Sequence, residues 1–245
     1  MKGVVLAGGL GTRLYPLTKV TNKHLLPVYD KPMIFYPIRT LVAAGISEIM
    51  IVTGGPFAGD FIAILKNGQE LGIKHLEYAY QEGDGGVAEA LSLAEDFVDG
   101  DSCAVILGDN TTDYDISEDV KNFDGGGMIF LKVVPDPERF GVPVFDSKDK
   151  GKIIKILEKP KKPPSEFAVT GLYIYDRQAF SFIKKLKPSQ RGELEITDVI
   201  NYYAKAGKLR FKWLDGYWRD AGTFETLFEA NAYWAKKANQ NLPKL

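Results

Sequence analysis

Short apolar runs alternate with segments of helical periodicity through the first half of this chain. The runs contain Val4–Ala7 and Glu48–Val52, and each is long enough for a buried strand. Strands are predicted at 4–7, 48–52, 75–80 and 104–107, and helices at 33–44, 57–65 and 87–97. Gly45 directly follows the first helix and is a typical helix stop. Repeated strand–helix units of this kind predict an α/β fold with a doubly wound, mostly parallel sheet.

The second half of the chain has a more mixed pattern. Strands are predicted at 128–134, 141–145, 153–157 and 171–175, and helices at 176–186, 196–206 and 224–238. The proline-rich stretch 159–164 predicts a solvated loop, because no helix continues through it. There is no repeat or linker. We therefore expect one Rossmann-like domain over 1–245, with a mixed but mostly parallel sheet.

Composition narrows the classes of function. The 245 residues are 45% hydrophobic and carry a net charge of -1, so no global positive field is available for nucleic acid, and no nucleic-acid partner is expected. The one cysteine, Cys103, lies in an apolar run and is expected to be a core residue. No apolar run approaches the ~20 residues of a membrane helix. These features predict a cytoplasmic protein without a signal peptide, a membrane span or a disulfide.

A glycine-rich loop follows the first predicted strand. Its sequence from Leu6 to Leu14 contains Gly8, Gly9 and Gly11, and glycines let a backbone approach phosphate groups closely. Arg13 adds a charged donor for the same oxygens. A dinucleotide fingerprint would need glycine at Leu14, and a P-loop would end in Gly-Lys-Ser or Gly-Lys-Thr. The alternative is an ordinary tight turn between a strand and a helix.

Few basic or metal-binding side chains accompany this loop in sequence. Lys23 precedes an apolar, proline-punctuated segment and, if the segment folds back, would reach the same phosphates; alone it is typical of a surface lysine. His24 and His75 are the only histidines, and neither has a partner at zinc-like spacing. Both are expected to be structural.

Two aspartates follow predicted strands. Asp109 comes directly after the run at 104–107, and Asp220 lies between a strand end and a helix start. Ligands of open α/β sheets bind beyond the carboxyl ends of strands, and Mg²⁺ favours one or two carboxylates together with phosphate oxygens. Each aspartate could instead be a turn residue or helix cap. If both fold to one pocket, they would hold one Mg²⁺ ion.

These segments together resemble the glucose-1-phosphate thymidylyltransferases, a family of sugar nucleotidyltransferases. The resemblance runs from Met1 to about Ala230. Its blocks are 6–18, 23–33, 107–110, 136–142, 158–160, 168–173, 191–198 and 220–223. It implies transfer of a nucleoside monophosphate from dTTP to glucose 1-phosphate, with release of pyrophosphate. It also implies a nucleotide-binding part at about 1–112, a sugar-phosphate-binding lobe at about 113–230, a homo-oligomer and a place in nucleotide-sugar biosynthesis, such as the dTDP-rhamnose pathway.

The resemblance also implies a role for each matching residue. Nucleotide-binding positions are Leu6, Gly8, Gly9, Gly11, Thr12, Arg13, Lys23, Gln81, Gly86 and Asp109. Sugar-phosphate-binding positions are Asn110, Gly141, Glu158, Lys159, Val169 and Arg191. Arg13, Lys23 and Asp109 would be catalytic, and Asp109 and Asp220 would hold the metal.

The loop after Gln81 departs from the family pattern. It reads Glu-Gly-Asp-Gly-Gly-Val-Ala-Glu-Ala at 82–90, where the family often has proline and then Gly-Leu-Ala-Gln-Ala. This loop matches one that contacts the base in the family. The same reaction with UTP in place of dTTP, or with another sugar 1-phosphate, is therefore an alternative. A non-catalytic regulator that binds nucleotide sugars on the same fold is the alternative from another class. A hydride-transferring dehydrogenase is disfavoured, because the dinucleotide glycine pattern is missing.

Overall fold

The computed structural model describes residues 1–149 and 151–240 of the chain. The strands are β1 (Lys2–Ala7), β2 (Pro27–Val28), β3 (Lys31–Pro32), β4 (Glu48–Gly54), β5 (His75–Gln81), β6 (Cys103–Leu107), β7 (Asn110–Thr112), β8 (Gly127–Val133), β9 (Gly141–Phe145), β10 (Ile153–Glu158), β11 (Phe167–Tyr175), β12 (Leu209–Trp213) and β13 (Trp218–Asp220). The helices are α1 (Phe35–Ala43), α2 (Ala58–Leu65), α3 (Val87–Ser92), α4 (Glu95–Val98), α5 (Ser117–Lys121), α6 (Gln178–Ile183), α7 (Ile196–Lys205) and α8 (Phe224–Gln240).

The centre of the molecule is a seven-stranded sheet with the order β12-β8-β11-β6-β1-β4-β5. Strands β6, β1, β4 and β5 pair in parallel, and β12 pairs in parallel with β8. Strand β11 is antiparallel to both of its neighbours. Because parallel strands end at the same edge, the loops after β1 and β6 lie side by side.

Each face of the sheet carries its own hydrophobic core. Val4 and Leu6 of β1 join the core that includes α3, α6 and α7, whereas Val5 and Ala7 join the core that includes α1 and α2. Successive side chains of a strand point to opposite faces, so a strand covered on both sides reads as one continuous apolar run. This arrangement confirms the predicted α/β fold with a doubly wound, mostly parallel mixed sheet.

Most predicted elements are present within a few residues of their expected bounds. Gly45 has a φ of 82° just past α1, as its predicted role as a helix stop requires. The prediction of one helix over 87–97 is wrong, because the segment forms α3 and α4 with a break at Leu93 and Ala94. Strands β2, β3, β7 and β12 and helix α5 were not predicted.

The sheet combines strands from both predicted functional parts, since β8, β11 and β12 extend the sheet formed by β6, β1, β4 and β5. A single domain is therefore consistent with the described residues, and its extent over 1–245 and its division near residue 112 stay predictions. None of the helices within 1–149 and 151–240 has the length and apolarity needed to cross a membrane.

Candidate functional site

A small two-stranded sheet brings the two candidate metal ligands together. Strand β13 pairs antiparallel with β7, and the register sets Asp220 opposite Asn110, the residue after Asp109. The backbone N–H of Ala221 donates to the carbonyl oxygen of Asp109 at 2.8 Å. Two segments far apart in sequence thus meet beyond the carboxyl end of β6, where an α/β sheet binds its ligands.

The Asp109 carboxylate is buried and held by two donors. Lys23 Nζ lies 2.5 Å from its Oδ2, and Asn110 Nδ2 donates to its Oδ1 at 2.9 Å. Burial by itself raises the pKa of Asp109, but the Lys23 charge and these hydrogen bonds outweigh it and hold the pKa below its usual range. Asp109 is therefore an anion near neutral pH, as a metal ligand must be.

The Asp220 carboxylate is less completely neutralised. Arg139 Nη2 donates to its Oδ2 at 2.7 Å, whereas its Oδ1 is buried without any hydrogen-bond partner. Burial and repulsion from Asp109 raise the pKa of Asp220 to about 6. A buried carboxylate oxygen that lacks a donor is costly, and a bound cation would satisfy it.

A chain of ion pairs anchors the strand that carries Asp220. Asp136 accepts from Arg139 at 2.6 Å and from Arg219 at 3.0 Å. Arg219 also donates to Glu229 of α8 at 2.8 Å. Since several members of this chain are partly buried, their geometry is fixed more firmly than that of isolated surface pairs. The network ties α8 and the segment before β9 to the site.

The position of Gly222 shows how closely the charged groups converge. A Cβ atom at Gly222 would lie 3.2 Å from Asp220 Oδ2, 3.5 Å from Asp109 Oδ2 and 3.3 Å from Arg13 Nη2. Both carboxylates therefore face one small volume that a larger side chain would enter. Oxygen ligands, the unpartnered Asp220 Oδ1 and this open volume fit a hard divalent cation such as Mg²⁺.

Few protein side chains are placed to coordinate a metal ion beside Asp109 and Asp220. Across residues 1–149 and 151–240, no group of three or more histidine, cysteine, aspartate or glutamate side chains is arranged to hold a metal ion. A metal at Asp109 and Asp220 would take its other ligands from water or substrate. Mg²⁺ is commonly bound in this way, through one or two carboxylates and substrate phosphates.

The glycine-rich loop packs closely against its neighbours. A Cβ at Gly8 would lie 2.4 Å from Gln81 Oε1, and one at Gly11 would lie 2.8 Å from Lys23 Cβ. Gly11 also has a φ of 68°, which favours glycine. The loop therefore requires glycine at Gly8 for space and at Gly11 for both space and conformation.

A cavity of about 250 Å³ adjoins this loop and is called the glycine-loop cavity here. It is lined by Leu6, Gly8, Gly9, Arg13, Lys23, His24, Gln81, Asp84, Gly86, Val87, Ala90, Leu107, Asp109 and Glu193. Eight of the ten predicted nucleotide-binding residues are in this set, and the other two, Gly11 and Thr12, are not. Its basic side chains, Arg13 and Lys23, lie near Asp109. Two further acidic side chains, Asp84 and Glu193, also line its wall.

A second cavity of about 170 Å³ is also lined by Asp109 and is called the Glu158 cavity. Its walls include the predicted residues Asn110, Gly141, Glu158, Lys159, Val169 and Asp220. Thr197 donates its hydroxyl hydrogen to Glu158 Oε2, which orients that carboxylate. Arg13 and Asp109 line both cavities, so ligands in the two cavities would meet at these side chains.

Two predicted sugar-phosphate residues have clear roles within the protein. Asn110 Oδ1 accepts from the Gly171 backbone and from Trp218 Nε1, so its amide holds Asp109 in place as well as facing the Glu158 cavity. Arg191 does not line either cavity. Its guanidinium lies 2.8 Å from Glu195, and Glu158 and Glu193 are also near.

Sequence reasoning missed several residues of the two cavities. Arg139 and Thr197 line the Glu158 cavity, and Glu193 lines the glycine-loop cavity. Arg139 lies in the resembling block 136–142 and the other two in the block 191–198. Their positions inside these blocks were the available signal, but which side chains face inward depends on the folded backbone.

The histidines and the cysteine have structural surroundings. His24 is buried, and its Nδ1 lies 2.7 Å from Asn22 Oδ1. Burial and the nearby Lys23 charge lower the pKa of His24 to about 3, so its ring is neutral. His75 is exposed beside Glu77. Cys103 is fully buried in a core, which confirms its predicted place, and burial raises its pKa to about 12.

Known proteins are similar in sequence to this chain over nearly its whole length. The family model described as nucleotidyl transferase matches residues 2–237. A glucose-1-phosphate thymidylyltransferase of Xanthomonas campestris pv. campestris is 46% identical over 94% of this chain and 79% of its own length. The enzyme of that name from Neisseria meningitidis is 43% identical over 99% of this chain and 85% of its own length.

Solved structures agree with the sequence matches. A Bacillus anthracis protein described as a glucose-1-phosphate thymidylyltransferase, in complex with sucrose, has a TM-score of 0.89 and 49% identity and covers 100% of this chain and 97% of its own. A UDP-glucose pyrophosphorylase complexed with UDP-glucose has a TM-score of 0.82 at 26% identity, over 96% of this chain and 98% of its own. With these matches and the convergence of Arg13, Lys23 and Asp109, the chain belongs to the nucleotidyl transferases, in the glucose-1-phosphate thymidylyltransferase family.

Proposed function

We propose that this enzyme transfers the thymidylyl group of dTTP to glucose 1-phosphate and releases dTDP-glucose and pyrophosphate. The observation that carries the proposal is that two cavities share Arg13 and Asp109. A nucleotide in one cavity and a sugar phosphate in the other would bring their phosphates together at that point. The names of relatives that are 41–46% identical support this choice of substrates.

The glycine-loop cavity is the proposed nucleotide site. The loop from Gly8 to Arg13 would receive the triphosphate, with Lys23 on the same phosphates, because an open backbone and fixed positive charges suit polyphosphate. Gln81 and Gly86 also line this cavity and would contact the base. This orientation puts the basic groups at the phosphate end of the ligand.

The Glu158 cavity is the proposed site for glucose 1-phosphate. Glu158 would accept hydrogen bonds from sugar hydroxyls, and Lys159 would bind the phosphate. Glycine suits position 141, because a Cβ there would lie 3.1 Å from Ile156 Cγ2 and 3.4 Å from Thr197 Oγ1 and would crowd both side chains. Arg191 would reach the phosphate only by giving up part of its contact with Glu195, so we place it after Lys159 in importance.

Asp109 and Asp220 are the proposed Mg²⁺ ligands. When bound there, the ion would act as a Lewis acid that withdraws charge from phosphoryl oxygens. The protein's own contribution is to keep Asp109 ionised through Lys23 and to hold Asp220 through the Arg139 ion pair.

The reaction needs positioning more than proton transfer. A phosphate oxygen of glucose 1-phosphate attacks the α-phosphorus of dTTP, the new O–P bond forms, and the bond between the α-phosphorus and the oxygen bridging to the β-phosphate breaks. The attacking phosphate is already deprotonated near neutral pH, so no general base is required. Arg13 and Lys23 offset the negative charge that develops on the leaving pyrophosphate.

Pyrophosphate release provides the direct test of this function. Purified protein is incubated with glucose 1-phosphate and dTTP, and pyrophosphate is measured with an enzyme-coupled assay while the sugar nucleotide is identified by mass spectrometry. We expect equal amounts of dTDP-glucose and pyrophosphate, and no pyrophosphate without the sugar phosphate. Binding of both substrates without any product would favour the non-catalytic regulator.

The similarity to a UDP-glucose pyrophosphorylase supports a second candidate, the same reaction with UTP. The assay is repeated with UTP and with other sugar 1-phosphates. A higher kcat/KM for UTP than for dTTP would assign the enzyme to uridylyl transfer. The chemistry at the α-phosphorus is the same in both cases.

We further propose that the enzyme is a cytoplasmic homo-oligomer and that its product enters nucleotide-sugar biosynthesis, including the dTDP-rhamnose pathway. The sequence resemblance supports the assembly and the pathway, and the buried single cysteine suits a reducing compartment. Size-exclusion chromatography with light scattering tests the assembly. A strictly monomeric mass would contradict it.

A further inference from the structure

Gln81 occupies a distinctive place at the end of β5. The residue is 6% exposed, and it forms part of the wall of the glycine-loop cavity. A buried primary amide offers donors on one side and an acceptor on the other, so its orientation decides what the cavity wall can recognise. The neighbours of Gln81 fix that orientation.

The Gln81 amide nitrogen has two close partners that only accept hydrogen bonds. Nε2 lies 3.1 Å from the carbonyl oxygen of Gly86 and 2.7 Å from Oε2 of Glu89. If the amide were turned over, its oxygen would face a carbonyl and a carboxylate, and both contacts would become repulsive. Both amide hydrogens are thus committed away from the ligand.

The Gln81 amide oxygen is left on the opposite side, next to the glycine-rich loop. A Cβ at Gly8 would lie 2.4 Å from this Oε1, and Gly8 and Gln81 both line the cavity. Gln81 therefore presents an acceptor, and no free donor, to a base in this site. Glu89 itself does not line the cavity, so it acts through Gln81.

We propose that Glu89 is a specificity-determining positioning residue, which holds Gln81 as an acceptor and so selects pyrimidine bases that carry an N3–H over cytosine. This inference rests on the proposed nucleotide site in the glycine-loop cavity. Thymine and uracil carry a hydrogen on N3, and it would donate to Gln81 Oε1. Cytosine in the same position would direct the N3 lone pair at that oxygen, which leaves a buried polar pair unsatisfied.

Glu89 has space to perform this role because residue 85 is glycine. A Cβ at Gly85 would lie 2.0 Å from Glu89 Oε2, so any larger residue must displace the carboxylate. The backbone of Gly85 is not among the positive-φ glycines, so alanine fits its conformation. Gly85→Ala thus offers a way to move the Glu89 carboxylate without removing it.

The experiment compares discrimination between dTTP and dCTP in five proteins. These are the wild type, Glu89→Leu, Glu89→Gln, Gly85→Ala and the control Glu77→Gln, which removes a carboxylate from the same strand as Gln81. With glucose 1-phosphate saturating, kcat and KM are measured for each nucleotide by pyrophosphate release. Calorimetric titrations with dTDP and dCDP measure binding separately.

We expect Glu89→Leu and Gly85→Ala to lower the preference for dTTP over dCTP by roughly tenfold, the size of one hydrogen bond to a charged group. The change should fall on KM and on the calorimetric Kd, with kcat for dTTP nearly constant. Glu89→Gln should retain part of the preference, because its amide oxygen still accepts from Gln81. Glu77→Gln should match the wild type.

Unchanged nucleotide preference in Gly85→Ala and in Glu89→Leu, with normal thermal melts, would overturn the role of Glu89. If Glu89→Leu fails to fold, Gly85→Ala and Glu89→Gln still decide the matter. Failure of the proposed function gives a different result, since wild-type protein would then release no pyrophosphate from dTTP and glucose 1-phosphate.

Discussion

Lys23 Nζ lies 2.5 Å from Asp109 Oδ2, and the two side chains are 12% and 11% exposed. The pair connects the segment after the glycine-rich loop to the end of β6. Because water is largely excluded, each charge depends on the other for compensation. The same contact keeps the pKa of Asp109 below its usual range, against the effect of burial.

Replacement of Lys23 by methionine tests this dependence. Without a metal, Lys23→Met should lower the free energy of unfolding by roughly 3–5 kcal/mol, the cost of leaving one charge of a buried pair alone. Thermal melts in EDTA measure the loss. Added Mg²⁺ should restore part of it, because a cation at Asp109 replaces the missing charge.

The matched control for Lys23 is Lys19→Met, which removes an exposed lysine from the same segment. The melting temperature of Lys19→Met should stay close to that of the wild type, because surface substitutions usually change stability little. Equal melting temperatures for Lys23→Met and Lys19→Met would contradict the argument.

Asp220 provides the test of the proposed metal site. Asp220→Asn keeps the shape of the side chain but removes one of two negative charges, so Mn²⁺, used as a spectroscopic probe for Mg²⁺, should bind at least about tenfold more weakly. Electron paramagnetic resonance of free Mn²⁺ measures binding without any turnover. Excess EDTA should also abolish activity of the wild type. The control variant is Asp215→Asn, which changes an exposed aspartate nearby in sequence. An Mn²⁺ affinity unaffected by Asp220→Asn would disprove the assignment.

The sequence predicted the central strands well because they are buried on both faces. Such strands are continuous apolar runs, and β1, β4 and β6 have this pattern. Strand β12 was missed because Leu209–Trp213 alternates apolar and charged residues at the sheet edge. An edge strand needs only one covered side, and its short alternating pattern is a weak signal.

The candidate site was predictable in its residues but not in its contacts. The glycine-rich loop and Asp109 follow predicted strands, so sheet topology alone places them at one edge. The approach of Asp220 depends on the pairing of β7 with β13, and no sequence periodicity reveals that these two three-residue strands pair. The hydrogen bond from Gln81 to Glu89 likewise needs the folded loop, since in sequence Glu89 is an ordinary helix residue.

Lys159 tests the separation of the two proposed substrate sites. It lines the Glu158 cavity and not the glycine-loop cavity, so Lys159→Ala should raise KM for glucose 1-phosphate at least about tenfold more than KM for dTTP. Steady-state kinetics with each substrate varied in turn measures both constants. Lys161→Ala, an exposed lysine of the same loop, is the control. Parallel increases in both constants would argue against separate sites.

His24 predicts a pH dependence of stability. Burial lowers its pKa in the folded protein to about 3, from an ordinary 6.5. Between these values the unfolded chain binds a proton that the folded chain does not, so the free energy of unfolding falls as pH drops below 6.5. By pH 4 the contribution is on the order of 3 kcal/mol. Urea titrations at pH 7 and pH 4 should show a smaller fall in His24→Gln than in the wild type, whereas equal falls would contradict a neutral buried ring.

Arg13 is the residue whose loss should affect the chemistry most. It lines both cavities, and its guanidinium faces the volume at Gly222 together with Asp109 and Asp220. A donor at this junction meets charge that grows as pyrophosphate leaves, so it binds the transition state more strongly than the ground state. Arg13→Ala should therefore lower kcat by roughly 10²–10³-fold.

The folded state should tolerate this change, because Arg13 is exposed and makes no ion pair within the described residues. A thermal melt of Arg13→Ala close to that of the wild type would separate the effect on catalysis from any effect on folding. The control is Arg177→Ala, which removes an exposed arginine outside both cavities. Arg13→Lys should recover only part of kcat, since an ammonium group lacks the planar fork that spans two phosphates. Near-normal kcat with only a higher KM for dTTP would make Arg13 a residue for nucleotide binding alone, because the loss of an interaction made equally in the ground state and the transition state raises KM without affecting the chemical step.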